Sequence, residues 1–267
     1  RNLISTKVYE QLSKQVSMLG LGNASVSAYK RHSHLEGVVH DAYSAPAIAG
    51  DIGGAFESVE GCNADIGWEE SGGSVRVTIE ASNRQREEFA DRFRYVPPKT
   101  VPGRSVFELC PVCRAPLDLG RQYRFDLERG LIEEVKTGHR VVLTGVMTLN
   151  NLFGELAEEL GEGIPGLIME TEKNRVKNVI EAKDKDLDAS EAGYFRYMKT
   201  LELKGMGIGS AVEVKGGKVS VRVGNPYFEP LIAGFLAGFY EATSGRRSSV
   251  EWTKAADGYT LVTVSPA

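Results

Sequence analysis

The sequence predicts a mixed α/β (α+β) fold in which a helix–hairpin–helix–hairpin unit with an antiparallel sheet occurs twice. Three observations carry that reading. Tyr43 to Trp68 and Tyr227 to Trp252 align at a constant offset of 184, which superposes Tyr43, Pro46, Ile48, Ala49, Gly50, Gly54, Glu57 and Gly61 on Tyr227, Pro230, Ile232, Ala233, Gly234, Gly238, Glu241 and Gly245. Trp68 and Trp252, which close the two stretches, are the only tryptophans in the chain. The run Gly20-Leu21-Gly22-Asn23 precedes the first stretch much as Gly205-Met206-Gly207-Ile208 precedes the second. Self-similarity of this kind outranks local signals, because missing it mistakes the whole architecture.

Taken in order, Leu3, Val8, Leu12, Val16 and Leu19 recur at mostly helical spacing, which predicts an amphipathic helix over 3–18 ended by Gly20 and Gly22. Strands are expected over 24–29 and 37–40. The repeated helix follows at Pro46 to Glu60, with proline in its first turn and Gly61 at its C-cap. Segments 64–68 and 75–79 form a hairpin over Ser71-Gly72-Gly73. NRQREEFADRFR reads as a charged helical arm, and YVPPKTVPG as an extended connector. LIEEV and RVVLT make a hairpin around Lys136-Thr137-Gly138, Thr148 caps a helix to Leu160, and a charged helix covers 167–183. A helix restarting at Asp188 and Ser190 stops at Gly205. Strands at 211–214 and 218–223, the second repeated helix and a hairpin turning near Asp257-Gly258 complete the chain.

The expected organisation is repeat copy one at 1–82, a central insert at 83–187 and repeat copy two at 188–267. One copy has too little helix to cover both faces of its sheet, so the copies are expected to pack together as a pseudo-dimer.

Composition bounds the function. The 267 residues are 42% hydrophobic and 25% charged, ordinary for a soluble protein. A net charge of −4 gives no long-range attraction for nucleic acid or anionic membrane. No apolar run nears the roughly 20 residues of a membrane span. Three cysteines, two of them as CxxC, and an N-terminus without the pattern of a secretory signal lead to the expectation of a cytoplasmic chain.

Glycine inside a helix costs about 1 kcal/mol relative to alanine, so paired glycines one turn apart in both copies need a reason. Either they let helices pack closely, or the missing side chains leave room for a ligand. In the ligand reading the second copy holds it, with Tyr227, Gly234, Phe235, Gly238, Phe239, Glu241 and Trp252 as candidate binding residues. The first copy is more polar, with Asp51 and Ala55 in place of Phe235 and Phe239.

The pattern Gly234-x3-Gly238-x2-Glu241-x3-Gly245, then Val250-Glu251 and a turn at Gly258, resembles the four-vinyl-reductase domain, also called the predicted hydrocarbon-binding domain. The resemblance covers 205–264 and, more weakly, 20–79. It implies an α/β domain whose helices cover a small antiparallel sheet, related in fold to transport-particle subunits, with an apolar ligand enclosed in several members. The family often carries cysteines around its last turn. This chain has none after Cys113, so no metal or redox property tied to those positions transfers.

Cys110-Pro111-Val112-Cys113 has the spacing of a zinc knuckle, with two thiolates on one tetrahedral ion. It is half a site, completed either within the chain from Cys62, His32, His34, His40 or His139, or by a second copy. An unliganded structural turn and a redox dithiol are the alternatives. The glutamates of 155–172 and the His32/His34 loop read as solvated surface. No P-loop, GxSxG or HExxH is present, and no catalytic residue is assigned.

The sequence therefore points to a non-catalytic binding or sensory protein for a small hydrophobic or aromatic molecule, with zinc as the candidate cofactor and with self-association or a protein partner. The alternatives are an enzyme or accessory subunit of anaerobic aromatic or tetrapyrrole metabolism, and an assembly subunit without ligand.

Overall fold

The computed structural model describes residues 2–84, 99–103, 106–183 and 188–267. Most of the expected charged arm and part of the proline-rich connector lie outside them. The chain divides into two units. The first holds the N-terminal repeat and Leu109–Thr144; the second holds Gly145–Ala267 and the short stretch before Leu109. The segment expected as one insert is thus shared between the units.

In the first unit α1 (Asn2–Met18) leads into β1 (Asn23–Lys30) and β2 (His34–His40). Then come α2 (Ala45–Glu60), β3 (Asn63–Ser71) and β4 (Ser74–Ser82). The strands form an antiparallel sheet in the order β1-β2-β4-β3. Leu35, Val39, Val75, Val77 and Ile79 alternate onto its inner face and pack against Ile48, Ala49 and Phe56 of α2. The rest of this unit is α3 (Leu117–Gln122) and a small sheet of β5 (Tyr123–Asp126), β6 (Leu131–Glu134) and β7 (Arg140–Val141). The strand β5 and the helix α3 were not predicted, because four and six residues are too few to show a period.

In the second unit α4 (Val146–Leu160) and α5 (Gly163–Lys183) precede the repeat. The repeat is α6 (Glu191–Leu203), β8 (Ile208–Lys215), β9 (Lys218–Gly224), α7 (Glu229–Ser244), β10 (Ser248–Lys254) and β11 (Thr260–Pro266). Ser190 caps α6 by accepting from the Gly193 N–H at 3.1 Å. Gly145, rather than Thr148, is the residue that precedes α4.

The strand order of this sheet, β8-β9-β11-β10, is that of the first. Leu35 pairs with Ile79 as Val219 pairs with Val264. Gly20 and Gly22 have φ of 80° and 127°, and Gly205 and Gly207 have 75° and 126°. These left-handed values favour glycine and end the first helix of each repeat in the same way. The repeated helices end alike, on Gly61 and Gly245, each at φ 68°.

The glutamate common to both copies has one structural task in each. Glu57 accepts the Ala64 N–H at 2.9 Å and Glu241 accepts the Ser248 N–H at 3.0 Å, tying the helix to the strand that follows it.

The copies differ in how the repeated helix is covered. α2 buries one face on its sheet, whereas α7 is buried continuously from Ile232 to Glu241. The sheet lies on one side of α7, and α5 lies along the other. Full burial of Ile232, Leu236 and Phe239 contributes about 1.5–3 kcal/mol for each side chain.

Candidate functional site

The candidate residues of the second copy are brought together, but into a packed core. A Cβ on Gly234 would lie 2.6 Å from the Met169 carbonyl oxygen, and one on Gly238 would lie 2.5 Å from that of Lys173. The space these glycines leave is taken by α5, which is the close-packing alternative and corrects the ligand reading's void at Gly234 and Gly238. Phe239 is fully buried, stacked on Tyr197 at 4.4 Å and edge-on to Tyr194 at 4.7 Å. Phe235 is buried below Arg175, and Tyr227 is buried with its hydroxyl donating to the Gly145 carbonyl at 3.2 Å. Trp252 is half-buried on the edge strand β10. Glu241 is buried, accepts from the Ser248 N–H and hydroxyl, and pairs with Lys177 at 3.4 Å and Lys173 at 3.7 Å. Burial alone would raise its pKa, yet the Ser248 hydrogen bonds and the two ammonium groups hold it below the ordinary value.

An accessible groove lies instead in the first unit, between α1, β1 and the turn at Leu127-Glu128. Its volume is about 720 Å³, within the range of roughly 300–1,000 Å³ usual for small-molecule sites. Met18, Val26 and Leu127 line it, and all three are exposed apolar side chains. Ser13 and Ala24 leave it open. At the corresponding positions of the second unit stand Met198 and Gly209; Met198 is fully buried, and a Cβ on Gly209 would lie 2.9 Å from its Cβ. Methionine at this position is thus buried in the core of the second unit, whereas the serine of the first unit lines the open groove.

The wall at Leu127 is held in place by polar contacts. The Gly22 N–H donates to the Gly130 carbonyl at 3.0 Å, and the Asn23 amide donates to the Glu128 carbonyl at 2.7 Å. Arg129 pairs with Asp41 at 3.1 Å. A Cβ on Gly130 would collide with the Gly22 backbone, so the approach requires glycine. Sequence reading missed this groove. Comparison of Ser13 with Met198 across the repeat was the signal that could have found it.

Tyr9 and Tyr29 line the end of the groove and turn their hydroxyls away to one carboxylate. The buried Glu60 accepts from Tyr9 at 3.0 Å, Tyr29 at 2.8 Å and the His32 N–H at 3.0 Å. The His32 ring lies 3.3 Å from the same carboxylate. Burial pushes Glu60 up, but the hydrogen bonds from Tyr29, His32 and Tyr9 outweigh it and keep the group below its ordinary value. Burial and the neighbouring carboxylate push the Tyr9 phenol well up.

Cys110 and Cys113 sit on a closed turn. Leu109 bridges Pro116, the Cys110 N–H donates to the Ala115 carbonyl at 2.8 Å, and the Arg114 N–H donates back to the Cys110 carbonyl at 3.0 Å. The N–H groups of Cys113 and Val112 bond the Cys110 sulfur and lower its pKa. The next helix, α3, begins only at Leu117, so neither thiol stands at the helix N-terminus that activates redox CxxC motifs. Among the described residues no group of three or more His, Cys, Asp or Glu is placed to hold a metal ion. The remaining cysteine, Cys62, is partly buried with its thiol raised by burial and by Glu60 and Glu57. His32, His34 and His40 direct Nδ1 to Glu60, Glu80 and Ser74. No helix among the described residues is long and apolar enough to cross a membrane.

No family model and no curated protein matches the chain. Solved structures that are similar over part of it include two of H-NOX proteins. One, from a study of heme distortion in the H-NOX family, is 14% identical with a TM-score of 0.33, covering 49% of this chain and 80% of its own. The other, a point mutant of T. tengcongensis H-NOX, is 14% identical with a TM-score of 0.30, covering 49% and 77%. Similarity this low assigns neither a ligand nor a cofactor to the chain.

Proposed function

We propose that the chain is a binding or sensory protein that holds a small apolar molecule in the groove beside α1. The observation that supports this is the placement of exposed Met18, Val26 and Leu127 around one opening of ligand size. Apolar side chains gathered in a concavity gain about 25 cal/mol per Å² when a ligand removes them from water. The aromatic rings of Tyr9 and Tyr29 add further apolar wall, while their polar ends are already satisfied by Glu60. This reading agrees with the resemblance to the four-vinyl-reductase family but moves the site from the second copy to the first. Titration with N-phenyl-1-naphthylamine tests it: saturable fluorescence enhancement with one site per chain is expected, and no saturable response would reject it.

The packing of α5 on Gly234 and Gly238 favours a second reading, an assembly subunit with filled cores. That reading expects no probe uptake by either copy.

We further infer that Cys110 and Cys113 supply two ligands to a soft divalent metal such as zinc. The support is the CxxC spacing on a turn closed by the Cys110–Ala115 and Arg114–Cys110 backbone hydrogen bonds, which hold both cysteines on one turn before a metal arrives. Cys110→Ser is expected to release bound metal; metal content equal to that of the wild type would reject the assignment.

A further inference from the structure

The CxxC turn offers two thiols to a metal that takes four ligands. Structural zinc is almost always tetrahedral and closed by protein groups. No third ligand joins Cys110 and Cys113 among the described residues. The remaining residues, at position 1 and in 85–98, 104–105 and 184–187, contain no cysteine or histidine. The turn is also outward-facing. Cys113 is exposed, and Val112, between the two thiols, is 90% exposed. An apolar side chain at the tip of a metal-binding turn gains from being covered by another surface.

We propose that two copies of this chain share one metal ion, each giving Cys110 and Cys113 to a four-thiolate site on a twofold axis. This rests on the reading of the turn as a metal half-site. The twofold follows from the chemistry: the same exposed pair presented by each copy makes a self-complementary contact, and four thiolates at about 2.3 Å close the tetrahedron. Val112 of each copy then lies at the rim of the junction.

The test is titration of reduced, metal-free protein with cobalt(II), read by thiolate-to-cobalt absorption and by sedimentation. The expected result is saturation at one cobalt per two chains, with the mass rising from 29.1 kDa to twice that value and returning on chelation. Cys113→Ser is expected to lose the absorption and stay monomeric with unchanged circular dichroism. Saturation at one cobalt per chain in a monomer would overturn the sharing while leaving the half-site reading intact. Absence of cobalt uptake would overturn both, and a dimer that persists after chelation would overturn the sharing. Chelation of the wild type decides the matter even if the variant fails to fold.

Discussion

Gly238 lies against the backbone of Lys173: a Cβ on the glycine would sit 2.5 Å from the lysine carbonyl oxygen. At Gly54, the matching position of the first copy, a Cβ would meet nothing within 4 Å. One sequence feature thus has two structural outcomes in the same chain. Gly238→Leu is expected to lower stability by about 1–3 kcal/mol through overpacking. Gly54→Ala is expected to raise it by up to about 1 kcal/mol through helix propensity. Urea denaturation of the two variants checks this, and equal effects would contradict it.

The shared glutamates give a second contrast. Glu241 is buried among Ser248, Lys173 and Lys177, whereas Glu57 is half-buried and accepts the Ala64 N–H. Glu241→Gln is expected to cost about 1–3 kcal/mol, as for charged hydrogen bonds, and Glu57→Gln about 0.5 kcal/mol or less. Chemical denaturation of both variants gives the comparison.

Glu60 predicts a pH dependence with a defined sign. Its folded pKa lies below the ordinary 4.5, so its contribution is present above about that pH and is lost as pH falls through the folded value. The Tyr9 phenol is shifted the other way from 10.0, so its contribution is present below that pH and lost above it. Stability of the first unit should plateau between these limits. Glu60→Gln should flatten the acid limb, and an acid limb identical to that of the wild type would show that Glu60 does not produce it.

Much of the fold was legible because its signals are local or repeated. Paired glycines at 20/22 and 205/207, cap glycines at 61 and 245, and alternating valines gave the elements, and the offset gave their correspondence. Close packing was one of two readings open for Gly234 and Gly238, but the choice between them was not legible, because the helix that covers them lies some 60 positions earlier and reads as an ordinary charged helix. The groove was hidden for a related reason. Its far wall, Leu127, comes from a short segment whose attachment depends on Gly22 and Gly130 meeting across the fold. Small residues at 13 and 24 signal a space only when the helix, strand and turn around them are already in place.

The most direct test of ligand binding is to give the first copy the filling of the second. Ser13→Met places in the groove the side chain that Met198 provides in the other unit. Isothermal titration of wild type and variant with N-phenyl-1-naphthylamine should show one site per chain in the first. In the second, affinity should fall at least tenfold, with the melting temperature unchanged or raised. Equal affinity in the two proteins would contradict binding in the groove beside α1.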